Sequence, residues 1–277
     1  MRNLLNILRT VLVCLLPFLA GALIGRYSPY FEGNSLGIYI AVCFAYCFLS
    51  AFVLYITINR ALPKKVLLGG ILLFFIGTGI ASIIGLAVPP DISPNMLQHP
   101  EREHFRYLLL FLSLLLFATS FVIILKEKWN VLSKRNKWII VAFILAFAEM
   151  CWEFYHHYHY AENLKFWIER GKDANAFIKD YDNITIARFG AIGRFFQYAV
   201  VAWLGYALVR FRHIRYWSFV PILMLCTIGI AAAMIVFYKG MPLPQNLQIF
   251  MLFFIPGFPF ILLYWIGVIL LNKPIIK

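Results

Sequence analysis

The chain has 277 residues, 62% of them hydrophobic and only 13% charged, with a mean hydropathy of +0.81. Soluble domains carry roughly 25% charged and 45–50% apolar residues, so composition excludes a soluble globular fold, and no polar block is large enough for a separate soluble domain. The net charge of +13 must then be explained within a membrane protein.

Eight apolar runs reach the ~20 residues that a helix needs to cross a ~30 Å hydrocarbon core. They lie at 8–25, 36–58, 66–88, 107–125, 138–158, 189–209, 216–238 and 247–271. Lipid cannot satisfy backbone polar groups, so continuous apolar runs must be helices. The expected fold is all-α, a polytopic bundle forming a single transmembrane domain.

The first run begins with Arg2 and Arg9 and ends in Leu19-Ala20-Gly21-Ala22, which also fits a cleavable signal peptide. Seven further runs follow, and the even total agrees with the charge pattern, so retention as an anchor is expected. The second run holds Cys43 and Cys47 one helical turn apart. Without partner ligands, packing explains them better than metal binding. The third carries Gly69, Gly70, Gly77, Gly79, Ser82 and Gly85, a pattern that permits close helix contact.

The connection 89–106 contains His99-Pro100-Glu101-Arg102-Glu103-His104-Phe105-Arg106. Pro100 suits the first turn of a helix that continues into the fourth run. The connection 159–188 repeats Leu164, Trp167 and Ile168, then Phe177, Ile178 and Tyr181, at helical spacing between charged residues, as short interfacial helices do. The two connections together are expected to form a lid. Asn183-Ile184-Thr185 is a glycosylation acceptor, relevant only in a eukaryotic source.

Chemistry concentrates in the fifth run, around Glu149, Glu153, His156 and His157. Ionisable residues within a span are costly and mark a functional site by default. At ~100° per residue, Glu149, Glu153, His156 and Tyr160 share one stripe, with His157 at its edge. Counted from Lys137 at ~1.5 Å per residue, Glu149 lies about 18 Å deep, Glu153 about 24 Å and His157 about 30 Å. The sixth run returns with Arg194, about 24 Å from Arg210 on the same scale. Glu153 and Arg194 are therefore level, and if their helices are neighbours an ion pair is expected. Gln197 and Tyr198 lie near the Arg194 face.

The seventh run contains Pro221, and the eighth is interrupted at Pro256-Gly257-Phe258-Pro259. Such an interruption either exposes backbone to a ligand or is a kink relieved by neighbouring helices; the second is expected. No internal duplication is visible.

Orientation follows from Lys and Arg near the span ends. One set of segments holds Arg2, Arg9, Arg60, Lys64, Lys65, Lys126, Lys128, Lys134, Arg135, Lys137, Arg210, Arg212, Arg215, Lys273 and Lys277 with a single acid, Glu127. The opposite set is mixed, with Glu32, Asp91, Glu101, Glu103, Glu162, Glu169, Asp173, Asp180 and Asp182 among its bases. Both termini are expected on the cytoplasmic side, in a bacterial inner membrane. Because the bases sit at span ends and form no patch, nucleic acid is not an expected partner. Membrane lipids and other membrane subunits are.

Three functions remain open. In an enzyme acting on a lipid or lipid-linked substrate, Glu149, Glu153, His156 and Arg194 would be catalytic, with Arg194, Gln197, Tyr198, Arg102, Arg106 and Arg188 binding the substrate. A divalent metal on Glu153, His156 and His157 could assist that enzyme. In a proton- or cation-coupled transporter or a proton-conducting subunit, Glu149 and Glu153 would titrate. In a structural subunit, Glu153 and Arg194 would merely staple two helices.

Overall fold

The computed structural model describes residues 2–31, 33–59, 61–86, 94–128, 137–181, 183–241 and 243–272, with the backbone alone at 2–6, 95, 128 and 178. Of the orientation pattern, Glu32, Arg60, Asp91, Lys134, Arg135, Asp182, Lys273 and Lys277 lie outside the described residues, as does the start of the 89–106 connection. Among the described residues the architecture is helical throughout, apart from one isolated bridge between Ile58 and Asn272.

Among the described residues, seven helices are long and apolar enough to cross a membrane: α1 (Arg2–Ile24), α2 (Leu36–Thr57), α3 (Lys64–Gly85), α4 (Pro100–Lys128), α5 (Trp138–Tyr158), α8 (Ile184–Arg210) and α9 (Tyr216–Lys239). Two short helices, α6 (Tyr160–Glu169) and α7 (Phe177–Tyr181), occupy the connection between α5 and α8. A further pair of segments passes the same test only when its two parts are taken together. A 3-10 segment, Gln245–Phe250, runs into α10 (Met251–Phe254), and α11 (Gly257–Leu271) continues after a 52° bend. As expected, α4 begins at Pro100 and runs through the fourth apolar segment without interruption.

The bend has a covalent origin. Pro256 and Pro259 have no N–H, so the carbonyls of Leu252 and Ile255 lose their helical donors. A residue preceding proline is also driven out of the helical region, and Ile255 adopts φ −60°, ψ 131°. Phe258 N–H turns back to the Ile255 carbonyl at 3.0 Å. The carbonyls of Phe253 and Phe254, in the last turn of α10, are thus left to find partners on another helix.

Helix α3 lies at the centre of one half of the bundle, packed on α1, α4 and α11, while α8 organises the other half between α5 and α9. Contacts of α4 with α5 and of α11 with α8 join the halves. The expected packing role of the α3 glycines holds. A side chain at Gly77 would overlap the ring of Tyr264, and one at Gly70 would meet Leu271. Tyr264 in turn donates to the Val13 carbonyl at 2.5 Å, and Trp265 Nε1 donates to that of Cys14 at 3.2 Å, which ties α11 to α1. Peripheral α2 leaves Phe44, Phe48, Phe52 and Tyr55 exposed, as lipid-facing positions would be.

The connection expected to act as a lid has a small core of its own. Met96 packs with Tyr160, Ala161, Leu164 and Phe177, and Trp167 and Tyr181 lie against them. The 94–98 turn and the α6–α7 segment therefore meet. Asn183 caps α8 through its side-chain oxygen, which accepts from the N–H groups of Thr185 and Ile186, a use of this residue that needs no glycan.

Candidate functional site

Helices α5 and α8 are neighbours, and the stripe on α5 faces α8 with Glu149 4% and Glu153 9% exposed. Arg194 on α8 is wholly buried, at 0%. Its Nη2 donates to both Glu153 oxygens, at 2.7 and 2.5 Å, so the level pairing expected from helix rise is present and bidentate. Nη1 donates to Gln197 Oε1 at 2.7 Å, and Nε donates to the Phe254 carbonyl at 2.9 Å. All three guanidinium nitrogens are thereby engaged. Tyr198, one residue beyond Gln197, donates its hydroxyl to the Phe253 carbonyl at 2.5 Å. The carbonyls freed by the proline break are therefore satisfied by the charged site itself, and the kink and the ionisable cluster form one unit.

Gln197 Nε2 donates to Glu149 Oε2 at 3.2 Å. Glu149 Oε1 is buried and has no hydrogen-bond partner among the described residues. Space for this carboxylate is made by glycine. An ideal Cβ at Gly193 would lie 1.9 Å from Glu149 Oε2, whereas one at Gly190 would stand 3.8 Å from Oε1. The result is two carboxylates beside one guanidinium, with the second carboxylate seated on a glycine of the facing helix.

The chain matches no protein-family model, no curated protein and no solved structure.

The other site residues expected from sequence are placed elsewhere. His156 stacks on Tyr181, with ring centroids 4.2 Å apart, and on Trp152 at 5.1 Å. His157 stacks on Tyr107 at 5.2 Å and Tyr160 at 5.3 Å. With Glu153 held on Arg194, no three His, Cys, Asp or Glu side chains among the described residues are grouped to hold a metal ion. Arg188 donates to the Phe237 carbonyl on α9 at 3.2 Å. Arg106 pairs with Glu103 at 3.2 Å, and Arg102 lies over the Tyr30 ring at 4.5 Å. Of the residues expected to bind substrate, Arg194, Gln197 and Tyr198 come together; Arg102, Arg106 and Arg188 have partners of their own.

A second buried polar cluster, not anticipated from sequence, joins the α1–α2 connection to the start of α4. Tyr30 donates to Glu103 Oε1 at 2.6 Å, and both Glu103 and Arg106 are buried. Burial, reinforced by the Glu103 carboxylate, pushes the Tyr30 hydroxyl well above its ordinary value. A kink relieved by a neighbouring helix was expected; that its donors are Arg194 and Tyr198, and that Gly193 seats Glu149, was not. The signals were there in the proline spacing and in Gly190 and Gly193 just before Arg194, but only adjacency of the helices gives them meaning.

Proposed function

We propose that this membrane protein carries or conducts a cation, and that Glu149 is the group that binds it. The observation that carries the reading is the buried Oε1 of Glu149, which has no hydrogen-bond partner among the described residues and lies beside an ion pair already complete between Glu153 and Arg194. With both glutamates ionised, the cluster holds one negative charge in excess, and an uncompensated charge in a low-dielectric interior costs several kcal/mol. A cation at Glu149 removes that excess. The broken span at the same place supports the reading, because discontinuous helices frame ion and substrate sites in many transporters. Arg194 serves here as a fixed counter-charge. Its three nitrogens are committed to protein groups, which speaks against a role in holding a lipid phosphate.

The charge pattern favours an orientation with both termini cytoplasmic, and a bacterial inner membrane fits it. The test uses the purified chain in lipid vesicles containing pH-, sodium- and potassium-sensitive dyes and challenged with acid, sodium and potassium gradients under an imposed membrane potential. Wild-type vesicles are expected to respond to at least one gradient, and Glu149→Gln vesicles to behave like protein-free ones. Equal responses from wild type and variant, or none from wild type under every gradient, would refute the proposal.

A further inference from the structure

Which cation Glu149 takes is decided by the groups around it. This step rests on the reading of Glu149 as the ion-binding group. We infer that the ion is a proton carried on Glu149 Oε1, and that Gln197 is the positioning residue that assigns it to that oxygen.

The first part follows from the partners of the neighbouring oxygens. Hard metal cations require several oxygen ligands at once. Around Glu149, both Glu153 oxygens and Gln197 Oε1 face the Arg194 guanidinium, and the Phe253 and Phe254 carbonyls accept from Tyr198 and Arg194. A metal ion drawing on these oxygens would sit next to a guanidinium, the group a metal cation least tolerates. A proton needs one oxygen and brings no coordination shell.

The second part follows from hydrogen-bond direction. A guanidinium can only donate. Because Arg194 Nη1 points at the Gln197 side chain at 2.7 Å, that atom must be the amide oxygen, and the amide NH2 must face Glu149. Gln197 thus always donates to Oε2 and can never accept from it. A proton on Oε2 would face another donor, so the acid form of Glu149 carries its hydrogen on Oε1, the oxygen without a partner among the described residues. Loading is a simple balance: Oε1 of the carboxylate gains a proton from water on one side of the membrane and returns it to water on the other.

Infrared difference spectroscopy of the full chain in vesicles, recorded between acid and alkaline buffer, tests both parts. Wild type is expected to show the C=O band of a protonated buried carboxyl, lost in Glu149→Gln and kept in Glu149→Asp. Removing the donor in Gln197→Met should shift the band to higher wavenumber, because Oε2 then accepts one hydrogen bond fewer. Adding sodium or lithium chloride at fixed pH should leave it unchanged. If either salt abolishes the band at fixed pH, the ion is a metal cation and the inference is overturned. If the band does not move in a monodisperse Gln197→Met protein, Gln197 does not position the proton. A normal, Gln197-sensitive band accompanied by no flux in the vesicle assay would overturn the proposed function instead, so the two failures are distinguishable.

Discussion

Replacing Gly193 by alanine should damage the protein far more than the same change at Gly190, although the two glycines lie three residues apart on α8. A Cβ at position 193 would fall 1.9 Å from Oε2, 2.0 Å from Cδ and 2.3 Å from Cγ of Glu149. Ordinary contact begins at 3.4 Å, so the carboxylate would have to retreat by about 1.5 Å in a close-packed interior. Because Cγ is caught as well, turning the terminal carboxylate cannot relieve the overlap; α5 and α8 must separate or Glu149 must change rotamer. Overpacking of this kind costs about 1–3 kcal/mol, and the stranded Gln197 amide adds about 1–3 kcal/mol. Alanine returns about 0.5–1 kcal/mol through its better helix propensity. The expected net loss is about 1–5 kcal/mol. At position 190 the nearest atoms are 3.6 and 3.8 Å away, so Gly190→Ala should be neutral or mildly stabilising. Reversible unfolding of the detergent-solubilised variants measures both. A double-mutant cycle closes the argument, since Gly193→Ala should cost much less in a Glu149→Ala background, where the clashing atoms are gone. A Gly193→Ala protein as stable as wild type, or an undiminished loss in the double variant, would refute the seating of Glu149 on Gly193.

Three further outcomes follow from the same contacts. Arg194→Leu leaves Glu153 buried and unpaired and should destabilise by about 3–5 kcal/mol, whereas Arg194→Leu with Glu153→Leu should recover most of that loss; unfolding midpoints of the pair decide it. The Tyr30 hydroxyl has a higher pKa folded than unfolded, so its contribution is complete below its ordinary value of 10.0 and is lost as pH rises beyond it. Tyr30→Phe should therefore flatten the alkaline fall in stability above about pH 10, as read from a pH series of unfolding curves. Tyr181→Ala removes the stack on His156 and the 2.5 Å bond from Asn163 Nδ2. Amide hydrogen exchange should then quicken across α6 and α7 and stay unchanged in the core of α8.

Composition alone determined the class of the fold, because a chain this apolar has no soluble solution and lipid leaves a long apolar segment only the helix. The spans were legible for the same reason, and so was the interruption at Pro256, since proline removes a donor wherever it stands. Depth was legible too: a constant rise per residue put Glu153 and Arg194 level before any contact was known. Partnership was not. A helical stripe shows which residues face inward, but what they meet depends on the neighbouring helix. His156 shares the stripe of Glu149 and Glu153 yet stacks on Trp152 and Tyr181, because the end of α5 meets the α7 segment rather than α8 alone. The glycines at 190 and 193 are indistinguishable in sequence, and only the approach of α5 leaves no room for a Cβ at 193 while leaving ordinary contact distance at 190. The proline break could have been an isolated kink. Tertiary packing set its freed carbonyls against Arg194 and Tyr198, because buried backbone acceptors must be satisfied by whichever donors the fold brings near.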